Sequence, residues 1–253
     1  YQTPKSPEIL IAGCGTGQHS LGTVSRYKDA RVLAVDLSLS SLSYAERKTS
    51  ELGISNIEYA QADIMNLMSL ERQFDLIECG GVLHHLGDPL SGWKVLVDLL
   101  KPGGLMAIGL YSETARQNIV AGRSMISEME YTSCPEDIRK CRQKFIAMAE
   151  DGNEAMAKIC KTRDFYSLSE CRDLLFHVQE HRFTLPQIED ALNALNLKFL
   201  GFEIRDGNTI QKFKEIYPDR SDLTSLALWH KFEQQHQDTF SSMYEFWCRK
   251  IEL

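Results

Sequence analysis

The chain has 253 residues, 43% hydrophobic and 25% charged, which is the balance of an ordinary folded protein and excludes a disordered or fibrous chain. Its formal net charge of −7 opposes binding to a phosphate backbone, so we expect no nucleic-acid partner. No apolar run approaches the roughly 20 residues of a membrane span, and no secretory leader precedes the first predicted strand, so we expect a cytoplasmic protein without a membrane partner.

Seven cysteines occur at irregular spacings and include no C-x-x-C pair. This pattern favours reduced, mostly buried thiols over a disulfide framework or a zinc ribbon. The chain begins at Tyr1 without a methionine, a few residues before the first predicted strand, which suggests a piece of a longer protein.

Short apolar runs alternate with amphipathic stretches in the first half of the chain, a pattern typical of β-α-β units and a parallel sheet. Five strands are predicted there and two near the end of the chain, at residues 8–12, 31–35, 57–61, 74–79, 105–110, 198–203 and 244–250. We therefore predict an α/β fold: a doubly wound, seven-stranded, mostly parallel sheet with an antiparallel last strand and an inserted helical layer.

Helix boundaries have their own signals. Ser38 can cap a helix that runs to Leu52, and Asp88 followed by Pro89 predicts the start of another. Residues 101–104, with the sequence KPGG, are predicted to stop that second helix.

From residue 111 to residue 196 the strand pattern gives way to helical spacing. Two capping boxes mark helix starts there, Ser167 with Glu170 and Thr184 with Gln187. We predict a core of residues 1–110, a helical insertion of residues 111–196, and residues 197–253 completing the core.

The first predicted strand runs directly into a glycine-rich turn, residues 13–17, with the sequence GCGTG. Glycines at alternate positions let the chain turn tightly and present bare N–H groups at a helix N-terminus, which suits a carboxylate or a phosphate. Plain strand-to-helix packing stays open as an alternative. A dinucleotide site is disfavoured because Gln18 stands where the G-x-G-x-x-G pattern needs its third glycine.

Two aspartates follow predicted strands. Asp36 closes the second strand, where a carboxylate can accept both hydroxyls of a ribose. Asp63 follows the third strand, where it can accept from an adenine amino group while Ile64 packs on the ring. Each aspartate alone is more often a loop or cap residue.

Together with residues 74–86 and 100–104, these features resemble the ordered motifs of class I S-adenosylmethionine-dependent methyltransferases. The resemblance implies S-adenosyl-L-methionine as the methyl donor and S-adenosyl-L-homocysteine as the product. The cofactor-binding residues that it implies are Gly13, Cys14, Gly15, Gly17, Gln18, His19, Asp36, Leu37, Asp63, Ile64, Cys79 and Gly80.

One position departs from the family pattern. Ile11 stands two residues before the first glycine, where these methyltransferases usually carry an acid. The usual hold on the methionine amino group is therefore in question, and Gln18 and His19 are the candidates to replace it.

Residues 164–201 also resemble bacterial methyltransferase domains that are attached to tetratricopeptide repeats. An N-terminal repeat domain of the same protein is therefore a candidate partner.

A methyl donor of this kind needs little covalent help, so positioning should dominate catalysis. For a hydroxyl or protonated amine acceptor, His84 is the first candidate base and His85 the second, and each is equally well explained as a helix cap. The acceptor, a small molecule or a protein side chain, is expected to be chosen by the helical layer. Its candidate contacts are Tyr111, Tyr166, His181 and Arg182.

Two other functions stay open. Residues 177–181 match the H-x-x-E-H pattern of inverted zinc proteases, and a metal-dependent hydrolase would use His177, Glu180 and His181 on one helix face. No third protein ligand is evident, so we predict no metal. The other alternative is a catalytically inactive regulatory module that binds S-adenosylmethionine.

Overall fold

The structure, a computed structural model, describes residues 4–177 and 179–252. Its seven strands are β1 (Glu8–Ala12), β2 (Arg31–Asp36), β3 (Ile57–Gln61), β4 (Phe74–Gly80), β5 (Leu100–Tyr111), β6 (Leu197–Phe202) and β7 (Met243–Lys250). They form a sheet in the order β3-β2-β1-β4-β5-β7-β6. β7 is antiparallel to both of its neighbours, and the other pairs are parallel. The predicted fold class is confirmed.

The strands lie where the sequence places them, to within one residue at each end, except at the start of β5. That strand begins at Leu100, which pairs with Phe74, and a register shift follows before the regular pairing begins. The prediction that residues 101–104 only stop a helix is therefore incomplete. Gly103, at φ +70°, lets this segment bend while it stays in the sheet.

Helices cover the sheet and fill the segment after β5. They are α1 (Gln18–Arg26), α2 (Leu39–Glu51), α3 (Pro89–Asp98), α4 (Gln117–Glu128), α5 (Pro135–Glu150), α6 (Glu154–Cys160), α7 (Leu168–Leu175), α8 (Leu185–Ala194), α9 (Gly207–Ile216) and α10 (Leu226–Gln235). Short 3-10 helices lie at Ile64–Leu70, Leu83–His85, Arg163–Tyr166 and Arg220–Thr224.

Helix starts follow the capping rules. Ser38 and Asp88 cap α2 and α3 through their side chains, as predicted. Thr184 and Gln187 form the predicted reciprocal box at α8, and Ser167 caps α7 by accepting the N–H of Glu170. Both predicted pairs therefore mark helix starts, the one at α8 as a reciprocal box and the one at α7 through the Ser167 side chain.

The chain divides into two compact units. The first contains the sheet and consists of the stretches up to Tyr111 and from His181 onward, and the second is Ser112–Glu180. The second unit is shorter than the predicted insertion of residues 111–196, because α8 packs on β6 and α10 and so belongs to the sheet unit.

Each unit has its own hydrophobic core. In the first unit, apolar residues of β1 and β2 pack against α1 and α2. In the second unit, α4 to α7 enclose Ile119, Ile126, Ile138, Cys141, Phe145, Met156, Ile159, Phe165, Cys171, Leu174 and Leu175. No helix in the described part of the chain is both long and apolar enough to cross a membrane.

Candidate functional site

The glycine turn between β1 and α1 is fixed tightly to the second strand. Gly13 has φ +81°, and a Cβ at this position would collide with Cγ2 of Val82, so only glycine fits. The N–H groups of Gly13 and Cys14 donate to the carbonyl of Val35 at 2.8 and 3.0 Å. The expectation that the turn presents bare N–H groups is wrong for these two, because the tight turn folds them back onto β2. It is also wrong for Gly15 and Gly17, whose N–H groups donate to Oδ2 of Asp36 and to the carbonyl of Cys14. Donors for an anion are left to the first turn of α1.

Asp36 lies at the carboxyl end of β2, as predicted. Its Oδ2 accepts the N–H of Gly15 at 2.8 Å, and its Oδ1 accepts the N–H of Ser38 at 2.8 Å. Since an ionised carboxylate has about four lone-pair sites, the two oxygens can still accept hydroxyl groups of a ligand. Leu37 follows directly and is 64% exposed, which gives this edge of the sheet an apolar surface.

The loop after β3 carries Asp63 and Ile64. The Oδ1 of Asp63 accepts the N–H of Met65 at 2.9 Å and so caps the following 3-10 helix. Ile64 is only 5% exposed, so it offers little surface for packing on an adenine ring. The loop lies beside Asp36, whose carbonyl accepts the N–H of Ala62 at 3.1 Å.

Glu78 is the main residue of this region that the sequence analysis missed. It lies on β4 as the register partner of Ile11 and is 1% exposed. Its Oε2 accepts the hydroxyl of Thr23 at 2.5 Å and lies 2.9 Å from Nε2 of His19. Its Oε1 lies 3.7 Å from the guanidinium of Arg26. A glutamate between Ile77 and Cys79, at the apolar end of a predicted strand, was the signal that could have identified it.

The electrostatics of this cluster favour an ionised Glu78. Burial raises the pKa of Glu78, but hydrogen bonds from His19 and Thr23, together with the charges of His19 and Arg26, hold the pKa below its ordinary 4.5. The hydrogen bond to Glu78 in turn raises the pKa of His19 above its ordinary 6.5. Gln18, the other candidate to replace an acid at position 11, is exposed on the first turn of α1.

A cavity of about 530 Å³ opens at the carboxyl ends of β1 and β4. Gly13, Gly80, His19 and Glu78 line it. Cys14 and Cys79, which come next to these glycines in the chain, are buried, and burial raises the pKa of each thiol to about 12. Both thiols are therefore protonated at neutral pH, and only the backbone groups of these cysteines are suited to a ligand.

The residues at this edge fit S-adenosylmethionine. Asp36 can receive ribose hydroxyls, and the cavity that Gly13 and Gly80 line leaves room for the methionine end. Glu78 Oε1 is buried and has no hydrogen bond to any of the described residues. A buried carboxylate oxygen in this state suits an ammonium group.

Four predicted residues, His84, His85, Tyr111 and His181, lie close together near the end of β4. The rings of His84 and Tyr111 stack with centroids 3.6 Å apart, and Nδ1 of His84 accepts the Tyr111 N–H at 3.3 Å. The carbonyl of His84 accepts the N–H of His181 at 2.8 Å, and Arg182 follows in the chain. His84 is fully buried, whereas His85, with its ring 4.4 Å from that of His84, is half-buried.

Tyr166, another predicted acceptor contact, lies in the second unit. It is 58% exposed, and its hydroxyl donates to the carbonyl of Cys160 at 2.8 Å. Its ring packs edge-on against Phe165.

The H-x-x-E-H motif does not form the predicted helix face. α7 ends at Leu175, and the motif follows in irregular backbone, with Val178 outside the described residues. The carboxylate of Glu180 accepts from Arg116 at 2.8 and 3.2 Å and from Arg123 at 3.0 Å. Within residues 4–177 and 179–252, no three histidine, cysteine or acidic side chains gather closely enough to hold a metal ion. The metal-dependent hydrolase lacks a structural basis because Glu180, its proposed catalytic glutamate, is hydrogen-bonded to the guanidinium groups of Arg116 and Arg123.

Residues 9–104 match the model of a family described as methyltransferase domain. An uncharacterized protein of Synechococcus sp. is 29% identical over 236 residues, which cover 89% of this chain and 56% of that protein. The malonyl-[acyl-carrier protein] O-methyltransferase of Acetivibrio thermocellus is 26% identical over 149 residues, 54% of this chain and 51% of the enzyme. This chain spans about half the length of these relatives.

Among solved structures, PKMT2 from Rickettsia typhi superposes with a TM-score of 0.74 at 18% identity, over 98% of this chain and 50% of PKMT2. PKMT2 in complex with AdoHcy gives a TM-score of 0.68 at 19% identity, over 98% of this chain and 49% of PKMT2. At these identities the likeness shows the fold. Residues 9–104 therefore match a methyltransferase domain, the chain shares the fold of PKMT2, and the site fits S-adenosyl-L-methionine as cofactor and S-adenosyl-L-homocysteine as product.

Proposed function

We propose that this chain transfers a methyl group from S-adenosylmethionine to a nucleophilic atom of a small molecule or a protein side chain. The observation that carries the proposal is the cavity bounded by Gly13 and Gly80, at the same sheet edge as the Asp36 carboxylate. When bound, the cofactor supplies an activated methyl carbon. The protein's task is then to orient donor and acceptor and to move a proton where the acceptor requires it.

The Asp36 carboxylate is oriented to bind the methyl donor. Backbone N–H groups of Gly15 and Ser38 hold one oxygen each, so the carboxylate is oriented before a ligand arrives. A preoriented acceptor of hydrogen bonds loses little freedom on binding, which increases affinity. Asp36 therefore binds the ribose in this proposal.

On the acceptor side, the two histidines after β4 have different surroundings. Nδ1 of His84 accepts the Tyr111 N–H, and the residue is fully buried, which suits it to positioning Tyr111 and β5. His85 is the more accessible of the two. We assign His85 as the base that takes the proton of a hydroxyl or protonated amine acceptor, with His84 as the alternative base.

Calorimetry with S-adenosylhomocysteine and a labelled-methyl screen against lysate fractions test this function. Asp36→Ala should weaken binding about ten- to a hundredfold, because it removes two hydrogen bonds to a charged acceptor. Failure of the unmodified protein to bind S-adenosylhomocysteine would falsify the proposal. Binding without a labelled product in any fraction favours a regulatory module without catalysis.

Acceptor choice by residues 111–196 stays a proposal, as do a cytoplasmic location and an N-terminal repeat domain as partner. For acceptor choice, replacing Tyr166 with Phe, or His181 or Arg182 with Ala, should lower kcat/KM for the acceptor while donor affinity stays the same. Equal losses of donor binding and turnover would contradict a separate role in acceptor binding.

A further inference from the structure

Glu78 lies at a buried position, where an ionised side chain loses its hydration and is therefore unfavourable. Its neighbours along β4, Ile77 and Cys79, are fully buried, and Glu78 itself is 1% exposed. A buried ionised carboxylate is stable only when its lone pairs are satisfied by donors or by a charge partner. How each oxygen of Glu78 is satisfied therefore indicates what the residue does.

The protein satisfies the two oxygens unequally. Thr23 and His19 both bind Oε2, at 2.5 and 2.9 Å. The closest guanidinium nitrogen to Oε1 belongs to Arg26, at 3.7 Å, which is beyond hydrogen-bond distance. Across the part of the chain that the structure describes, Oε1 is buried without a hydrogen-bond donor. This oxygen can accept from a ligand without first breaking a bond inside the protein.

The position of Glu78 relates it to the glycine turn. Glu78 pairs in register with Ile11, so the two side chains lie on the same face of adjacent strands, near the carboxyl ends. Gly13 and Gly80, two residues further along each strand, line the same cavity as Glu78. A carboxylate at position 78 therefore reaches the space that an acid at position 11 would serve.

We propose that Glu78 binds the α-ammonium group of the methionine moiety of S-adenosylmethionine from β4, and so replaces an acid that Ile11 does not provide. This inference rests on the proposed function. His19 and Thr23 hold the other carboxylate oxygen and orient the group, so they are positioning residues. An ammonium group can complete the hydrogen bonding of Oε1 and supply a nearby positive charge.

A purely structural role is the competing explanation, since the same contacts connect α1 to β4. Arg26 also contributes charge to the cluster, and Glu203 and Arg205 line the same cavity. A structural Glu78 would affect folding and the affinity for every nucleoside ligand alike. An ammonium site affects only ligands that carry the amine.

The test measures binding of four ligands by calorimetry to the full chain and to Glu78→Gln. S-Adenosylhomocysteine carries both the amine and the carboxylate, S-adenosyl-3-thiopropylamine keeps only the amine, S-adenosyl-4-thiobutyrate keeps only the carboxylate, and 5′-methylthioadenosine has neither. Glu78→Gln should weaken the two amines about ten- to a hundredfold, as expected for losing a hydrogen bond between charged groups, and leave the other two unchanged. Equal losses for all four ligands, or no loss for the amines, would overturn the assignment.

Asp36→Asn is the matched control, because all four ligands contain the ribose. It should weaken every ligand by a similar factor. If the unmodified protein binds none of the four, the proposed function fails; if it binds S-adenosylhomocysteine and Glu78→Gln binds it equally well, only the present inference fails.

A second measurement needs no change at Glu78 and stays informative if Glu78→Gln does not fold. Nuclear magnetic resonance of the unmodified protein reports the pKa of the His19 imidazole, identified with His19→Gln. S-Adenosyl-3-thiopropylamine should lower this pKa, because its ammonium group offsets the Glu78 charge that raises the pKa, whereas 5′-methylthioadenosine should not. No change with the amine would contradict an ammonium beside Glu78.

Discussion

Two buried glutamates, one in each unit of this protein, are satisfied in different ways. In the second unit, both oxygens of Glu180 accept hydrogen bonds from guanidinium groups of Arg116 and Arg123. In the sheet unit, Thr23 and His19 share one oxygen of Glu78, while Oε1 has no hydrogen bond to a described residue. Both side chains are about 1% exposed.

The difference distinguishes a structural carboxylate from a ligand-binding one. Glu180 is held by charged donors on both oxygens, so its surroundings account for its burial without a ligand. Burial of Glu78 leaves part of its hydrogen-bonding capacity unused beside a cavity. Burial and charge alone would not separate the two residues, whereas the donors at each oxygen do.

The largest expected effect comes from Glu180→Gln, which tests the structural side of this comparison. It removes the charge of the carboxylate that pairs with the guanidinium of Arg116, which is 2% exposed. Removing one partner of such a buried pair costs about 3–5 kcal/mol in the free energy of unfolding. Urea denaturation of the full chain measures this loss, and affinity for S-adenosylhomocysteine should stay unchanged. If the folded Glu180→Gln protein bound S-adenosylhomocysteine more weakly than the unmodified protein, the two glutamates would not differ as described.

A smaller effect is expected from Thr23→Val, which removes the hydroxyl that donates to Glu78. A hydrogen bond to a charged group contributes about 1.5–3 kcal/mol, and a neutral one about 0.5–1.5 kcal/mol. Thr49→Val is the matched control, since the hydroxyl of this buried threonine donates to the neutral carbonyl of Ala45. Denaturation should show the greater loss for Thr23→Val, and equal losses would indicate that Glu78 is not ionised.

The same contrast explains which parts of the site the sequence could predict. The glycine turn and Asp36 lie where strands end, and strand ends are marked by turn residues and by the change from apolar to polar side chains. Glu78 lies inside a strand, where the periodic pattern indicates only burial. Its role depends on pairing with Ile11 across two strands 67 residues apart, and that register is a tertiary property.

The helical segment was predicted less well for a related reason. Helical spacing correctly indicated helices in this segment, where Ile138, Cys141 and Leu174 are buried. Spacing did not reveal that α7 ends at Leu175, so the histidines of the H-x-x-E-H motif were wrongly placed on one helix face. The ion pairs of Glu180 join residues more than 50 positions apart, and sequence-local patterns contain no information about such contacts.

The smallest expected effect is a pH dependence that compares the unmodified protein with Glu78→Gln. The pKa of His19 is raised above 6.5, chiefly by its hydrogen bond to Glu78, so its contribution to stability is full below pH 6.5 and is lost as pH rises through the folded-state pKa. Burial opposes ionisation of Glu78, but its hydrogen bonds hold its pKa below 4.5. Its contribution is therefore full above pH 4.5 and is lost as pH falls through the folded-state pKa.

The two contributions overlap between pH 4.5 and pH 6.5, where the stability difference between the unmodified protein and Glu78→Gln should be greatest. Arg26 favours the ionised Glu78 and lowers the pKa of His19, whereas Glu203 raises the pKa of His19; the net direction of each pKa shift is unchanged. Urea denaturation of both proteins across this range, at constant ionic strength, measures the difference. His19→Gln should remove the decline on the alkaline side and keep the decline on the acid side. A difference that continues to grow above the folded-state pKa of His19 would mean that His19 and Glu78 are not coupled, and that Glu78 is held by Thr23 and Arg26 alone.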